Sequence, residues 1–142
     1  MGVSLYYSAT RATPLDAREH ALAAEALAEG ERALMEEAAA LLPRWHAVGE
    51  VPGSHQRPEE VFEGLGTYDD RHLSEGEVLA GSSKLPHHTC GVEPLLCQLR
   101  HYLEALTRLR GALPDARWSV RVEDAEVPWT EEGGYSMGGA PV

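Results

Sequence analysis

Residues 91–113 read GVEPLLCQLRHYLEALTRLRGAL, and this stretch decides the fold expected for the chain. Its apolar residues recur mostly at steps of three and four, which is the period of one face of an α-helix. They are Val92, Leu95, Leu96, Leu99, Leu103, Leu106 and Leu113. Pro94 suits the first turn, while Gly111 and then Pro114 predict where the helix ends. The stretch therefore predicts an amphipathic helix that packs against a core.

The remaining chain alternates strand-like and helix-like segments around this helix. Residues 2–9 and 117–122 alternate apolar and polar side chains, which predicts half-buried strands, and residues 77–85 read as another strand. Residues 14–42 are rich in Ala and Glu and predict a helix that begins after Thr13 and ends at Pro43. Its leucine spacing jumps near Gly30, where we expect a kink or a break into two helices. The segment 45–76 shows no clear pattern, and the second strand is expected between 45 and 66.

The predicted order is strand, helix, strand, strand, helix, strand. This is the βαββαβ order of a ferredoxin-like α+β fold, with an antiparallel sheet and both helices on one face. The opposite face would need cover, and a second copy of the chain or the C-terminal tail is the expected cover. The alternative is another α+β fold in which 14–42 forms a helical hairpin. We expect one α+β domain over 1–125 and an acidic tail over 126–142.

Composition narrows the classes of function. The chain has 142 residues and a formal net charge of −11, from 23 acidic and 12 basic residues. Such a surface repels phosphate backbones and anionic lipid, so binding to nucleic acid or to a membrane is not expected. We find no apolar run long enough to span a bilayer, no secretory signal and only two cysteines. These features predict a cytoplasmic protein.

The reactive residues cluster in the segment LPHHTCGVEPLLCQLRH at 85–101. Cys97 and His101 lie four residues apart, so they are neighbours on a single helix face, almost opposite the leucine stripe. Because cysteine is seldom left exposed without a use, this face is either covered by another layer or subunit, or its thiol is functional. One functional interpretation is a zinc site in which Cys90 and His88 complete a tetrahedral ligand set. The spacing of these four residues matches no standard zinc motif.

A second functional interpretation is nucleophilic catalysis at Cys90. This residue lies just before a helix start, where the helix dipole lowers the pKa of a thiol. His88, or its neighbour His87, is close enough in sequence to act as the base. The sequence names no third group to orient that base.

No catalytic motif stands out elsewhere in the chain. The sequence therefore favours a non-catalytic binding or interaction domain without a cofactor, whose partner is another protein or a second copy in a homodimer. The alternative is a zinc-binding or Cys/His-dependent enzyme that uses residues 87–101.

Overall fold

A computed structural model describes residues 3–86 and 90–137 of the chain. Within these ranges the main sheet has four strands in the order β2-β1-β3-β4, and a second sheet is a two-stranded hairpin, β5-β6. The helices and strands are β1 (Val3–Thr10), α1 (Ala17–Ala47), α2 (Pro58–Val61), β2 (Glu77–Leu85), α3 (Val92–Ala112), β3 (Arg117–Val122), β4 (Ala125–Glu126), β5 (Trp129–Thr130) and β6 (Gly134–Tyr135).

The central strand is β1, which pairs antiparallel with β2 on one side and with β3 on the other. Its alternation confirms the strand predicted at 2–9, because Leu5, Tyr7 and Ala9 are buried while Tyr6 and Ser8 remain half-buried. The buried set belongs to the same apolar core as the buried residues of α1 and α3. The two long helices therefore cover one face of the sheet, and the other face is polar and partly open.

Helix α1 begins three residues later than predicted and continues past its expected end. Its N-cap is Asp16 rather than Thr13, because the Asp16 side chain accepts from the Glu19 backbone N–H while the Glu19 carboxylate accepts from the Asp16 backbone N–H. Pro43 lies inside the helix instead of ending it. The helix continues because its last turns bury Trp45, which is 1% exposed.

Gly30 does not interrupt α1. The buried face runs unbroken at steps of three and four once the small residues are included: Ala23, Leu27, Gly30, Leu34, Ala38, Leu42 and Trp45. The break predicted from leucines alone is wrong, because alanine and glycine fill positions where another helix approaches closely.

Helix α3 confirms the main helix predicted from 92 onwards, although its end differs. Gly111 lies inside the helix, which ends at Ala112, and the Leu113 backbone N–H bonds to the Leu109 carbonyl oxygen. Leu113 is only 1% exposed, so its burial stabilises the last turn of the helix. Pro114 prevents the helix from continuing.

The strand predicted between 45 and 66 is absent. After α1 ends at Ala47, this segment holds the four-residue helix α2, turns and irregular backbone, and it buries single apolar side chains such as Phe62 and Leu65. Further on, the backbone N–H groups of Gly66 and Tyr68 donate to carbonyl oxygens of β2, at 3.0 and 2.8 Å. The loop thus covers the outer edge of β2 without becoming a regular strand.

The ferredoxin-like prediction is therefore wrong. The fold is α+β, but the chain crosses the main sheet as β1-α1-β2-α3-β3 with a short β4, and β1 pairs antiparallel with both neighbours. The missing second strand is the physical reason. Its segment carries isolated apolar residues instead of the alternation that a sheet position requires.

The C-terminal hairpin β5-β6 packs on α3 and not on the open sheet face. The Arg110 guanidinium lies 4.0 Å from the centre of the Trp129 ring and donates to the Tyr135 hydroxyl at 3.0 Å. The Tyr135 backbone N–H also donates to Thr107. The hairpin therefore leaves the polar face of the sheet uncovered. It packs instead on α3, which already contacts the sheet and α1.

Candidate metal centre

The candidate site lies between α1 and α3, where the two helices run antiparallel. Arg44 contacts Glu93 near one end of the helix pair, and Gly30 meets Ala105 towards the other. Because Gly30 has no side chain, the helices come close together at this crossing. The approach brings the Cys97 face of α3 against α1, so this face is covered by another layer of the same chain.

Three side chains that can bind a metal converge there. One donor atom each from Glu37, Cys97 and His101 lie within 4.8 Å of one another. In the part of the chain that the structure describes, no other three His, Cys, Asp or Glu side chains form such a group. Cys97 is 5% exposed and His101 is 8% exposed, whereas the Glu37 side chain is 36% exposed. The group thus has two buried donors and one donor that reaches solvent.

Hydrogen bonds hold the carboxylate of Glu37 in place. Its Oε1 lies 2.7 Å from Nε2 of His101, and its Oε2 accepts from Nη2 of Arg100, also at 2.7 Å. The Arg100 guanidinium, and then the His101 ring, hold the pKa of Glu37 below its usual value. The carboxylate is therefore ionised at neutral pH and can serve as an anionic oxygen ligand.

The thiol of Cys97 is in the opposite electrostatic state. Burial first, and then the negative charge of Glu37, raises its pKa to about 11. At neutral pH the thiol is protonated and is a poor nucleophile, because the thiolate is the reactive form. A metal ion would reverse this state by replacing the thiol proton.

The predicted pair Cys97 and His101 is thus brought together, but Glu37 was missed. Sixty-four residues separate Glu37 from His101, so no local spacing links them. The one usable signal is that Glu37 precedes Ala38, a member of the buried face of α1. A carboxylate at the edge of a buried helix face often reaches towards the neighbouring helix, but the sequence does not show which helix that is.

Among the described residues, Cys90 does not join this group. Cys90 precedes α3, is half-buried and packs against the core, while His87 and His88 lie outside the described residues. The first turn of α3 already has an anionic neighbour, because the Glu50 carboxylate accepts from the Glu93 backbone N–H at 3.0 Å. The catalytic roles of Cys90 and His88 stay predictions.

Comparison of the chain with known protein families, with curated proteins and with solved structures gives no match. Among the described residues, no helix is both long and apolar enough to cross a bilayer.

Proposed function

We propose that this chain is a non-catalytic binding domain that holds one zinc ion between α1 and α3. Cys97, His101 and Glu37 are the protein ligands. The convergence of a thiol, an imidazole and a carboxylate within 4.8 Å carries the proposal. Zinc accepts all three donor types, whereas magnesium and calcium prefer sites built from oxygen alone.

The geometry requires only small movements to accept the ion. Two nitrogen or oxygen ligands on a tetrahedral zinc lie about 3.3 Å apart, given bond lengths of about 2.0–2.1 Å. The His101–Glu37 contact of 2.7 Å must therefore open by roughly 0.6 Å. The Cys97 sulfur must lie about 3.6 Å from the other two donors, which is inside the present 4.8 Å limit.

Zinc binding also requires the loss of the Cys97 proton and a weakening of the Glu37–Arg100 ion pair. The Cys97 thiol would release its proton as the S–Zn bond forms, and His101 would bind the ion through a ring nitrogen that carries no proton. Arg100 competes with zinc for Glu37. These costs predict an affinity that rises with pH and falls when the Glu37 carboxylate is removed.

The decisive experiment is zinc content and zinc affinity of untagged protein. Protein stripped by a chelator is reloaded, desalted and analysed for elemental zinc, and we expect about one ion per chain. Cobalt substitution should give a sulfur-to-metal charge-transfer absorption. Cys97→Ser should abolish that absorption, and His101→Gln and Glu37→Gln should weaken zinc binding about tenfold or more.

Matched variants separate the site from general effects of charge and thiol loss. Glu36→Gln removes an exposed carboxylate one residue away, and Cys90→Ser removes the other thiol. Both should leave zinc binding unchanged. The proposal is wrong if reloaded protein holds no zinc, or if the control variants lose zinc as readily as the site variants.

A zinc-dependent hydrolase is the second candidate, because three protein ligands leave one tetrahedral position for water. That ligand count is typical of catalytic zinc sites. Against it, the burial of Cys97 and His101 leaves little room for a substrate beside the ion. Zinc-loaded protein that hydrolyses an activated ester faster than its Cys97→Ser variant would favour this candidate.

A further inference from the structure

The outer side of α3 carries apolar side chains that no described element covers. Val92 is 60% exposed, Leu96 is 52% exposed, and Met137, just after β6, is 42% exposed. A groove of about 320 Å³ runs between this side of α3 and the β5-β6 hairpin. We call this surface the α3–hairpin patch. Its lining includes Leu96, Leu99, Leu103, Tyr135 and Met137, with Arg100 and Glu104 at its rim.

The exposure of Leu96 follows from how α3 is packed. The sheet, α1 and the hairpin cover the other sides of the helix, where Leu99, Leu103 and Leu106 are buried. Leu96 lies between the side covered by the hairpin and the charged side that carries Arg100 and Glu104. An apolar patch with a charged rim is the usual mark of an interaction site on a soluble surface.

The α3–hairpin patch carries charges of both signs on an acidic chain. The chain carries a net charge of −11, so two copies repel each other over most of their surface. The patch is lined by one cation and one anion, Arg100 and Glu104, one helical turn apart, and Arg100 also pairs with Glu37 of α1. Arg100 of one copy can therefore meet the opposite charge of Glu104 of a second copy.

We propose that the α3–hairpin patch is the interface of a two-fold symmetric homodimer. A two-fold axis makes an interface self-complementary. If residue i of one copy contacts residue j of the second copy, then residue j of the first copy also contacts residue i of the second. Across an axis near the middle of α3, Arg100 of one copy faces Glu104 of the second copy. Arg100 uses one nitrogen for Glu37 and keeps further donors for this contact.

The first test is the oligomeric state of the whole chain, measured by sedimentation velocity between about 1 and 200 µM. A chelator is present, so that the result does not depend on zinc. We expect a reversible dimer. Leu96→Asp should raise the dimer dissociation constant about tenfold or more, because it buries an unpaired charge. Val48→Asp is the matched control at a 62% exposed apolar residue outside the patch, and it should leave the constant unchanged.

Charge reversal tests the symmetry. Glu104→Arg should weaken the dimer, because it places two cations opposite each other across the axis. The proposal is overturned if the wild-type chain is monomeric throughout, if Leu96→Asp and Val48→Asp act alike, or if Glu104→Arg leaves the dissociation constant unchanged.

Discussion

The contact between Gly30 and Ala105 sets the spacing of the two long helices, and replacing Gly30 with alanine tests it directly. A Cβ atom at Gly30 would lie 2.8 Å from the Cβ of Ala105. Ordinary carbon–carbon contacts are about 3.5–4.0 Å, so the helices must separate by roughly 1 Å or tilt. The backbone of Gly30 is helical, so the added methyl group causes a packing problem and no backbone strain.

Two opposing free energies decide the sign of the effect. Alanine in a helix interior is more favourable than glycine by about 0.5–1 kcal/mol. Overpacking a close contact costs about 1–3 kcal/mol. We therefore expect Gly30→Ala to lower the free energy of unfolding by about 1 kcal/mol, measured by urea denaturation followed by circular dichroism.

The same change should reach the candidate site. Glu37 lies two helical turns after Gly30, and His101 lies one turn before Ala105 on the facing helix. A wider helix spacing increases the distance between Glu37 and His101. Zinc affinity should therefore fall together with the free energy of unfolding. Calorimetric titration of the variant with zinc measures this effect.

A double-mutant cycle supplies the control. Ala105→Gly alone removes a buried methyl group and a good helix former, and it should be destabilising. Combined with Gly30→Ala it recreates the space, so the two changes should couple favourably by about 1 kcal/mol or more. If Gly30→Ala instead raises stability by its full helix-propensity gain, the helices are not in close contact and the reasoning fails.

Four further predictions concern charge, pH and packing. Arg100→Gln should tighten zinc binding about fivefold, because it removes a cation that competes with zinc for Glu37. At a half-exposed position this competition costs about 1 kcal/mol of binding free energy. An equal effect of Arg108→Gln, which has no contact with the site, would refute this prediction. Because the Cys97 thiol must ionise and its pKa is raised to about 11, zinc affinity should rise about tenfold per pH unit near neutrality, and calorimetry of Cys97→Ser should lose that slope. Folding lowers the pKa of Glu37. Its contribution to the free energy of unfolding is therefore present above its unfolded pKa and is lost as pH falls through its folded pKa. In an acid titration, Glu37→Gln should lose less stability than the wild-type chain. Leu34→Ala should cost about 2–5 kcal/mol in urea denaturation, because Leu34 is fully buried.

Zinc binding should also appear as thermal stability. At a free zinc concentration one hundred times the dissociation constant, a ligand that binds only the folded state adds about 2.7 kcal/mol. For a chain of this length that corresponds to a rise in Tm on the order of 5–10 °C. Calorimetric scans of wild-type and Cys97→Ser protein, with zinc and with a chelator, separate this rise from an unspecific effect of the ion.

The local pattern of the sequence was a good guide where a single face of an element is buried. The alternation around Tyr7 and around Val120 correctly predicted β1 and β3, and the leucine steps predicted α3. The same reasoning failed at Pro43 and Gly30, because it treats these residues as local breakers. In the folded chain, Trp45 is buried beyond Pro43, and Gly30 meets a neighbouring helix.

For the site, the sequence was sufficient to pair Cys97 with His101, since four residues on a helix bring side chains together whatever the fold. It determined the charge, the two long helices and the alternating strands in the same way, through interactions between near neighbours. Only the tertiary structure decided that α1 covers the Cys97 face, that the loop around Gly66 replaces a strand, and that Glu37 completes the group. Those outcomes depend on contacts between residues far apart in the chain, and local periodicity carries no information about which distant surfaces meet.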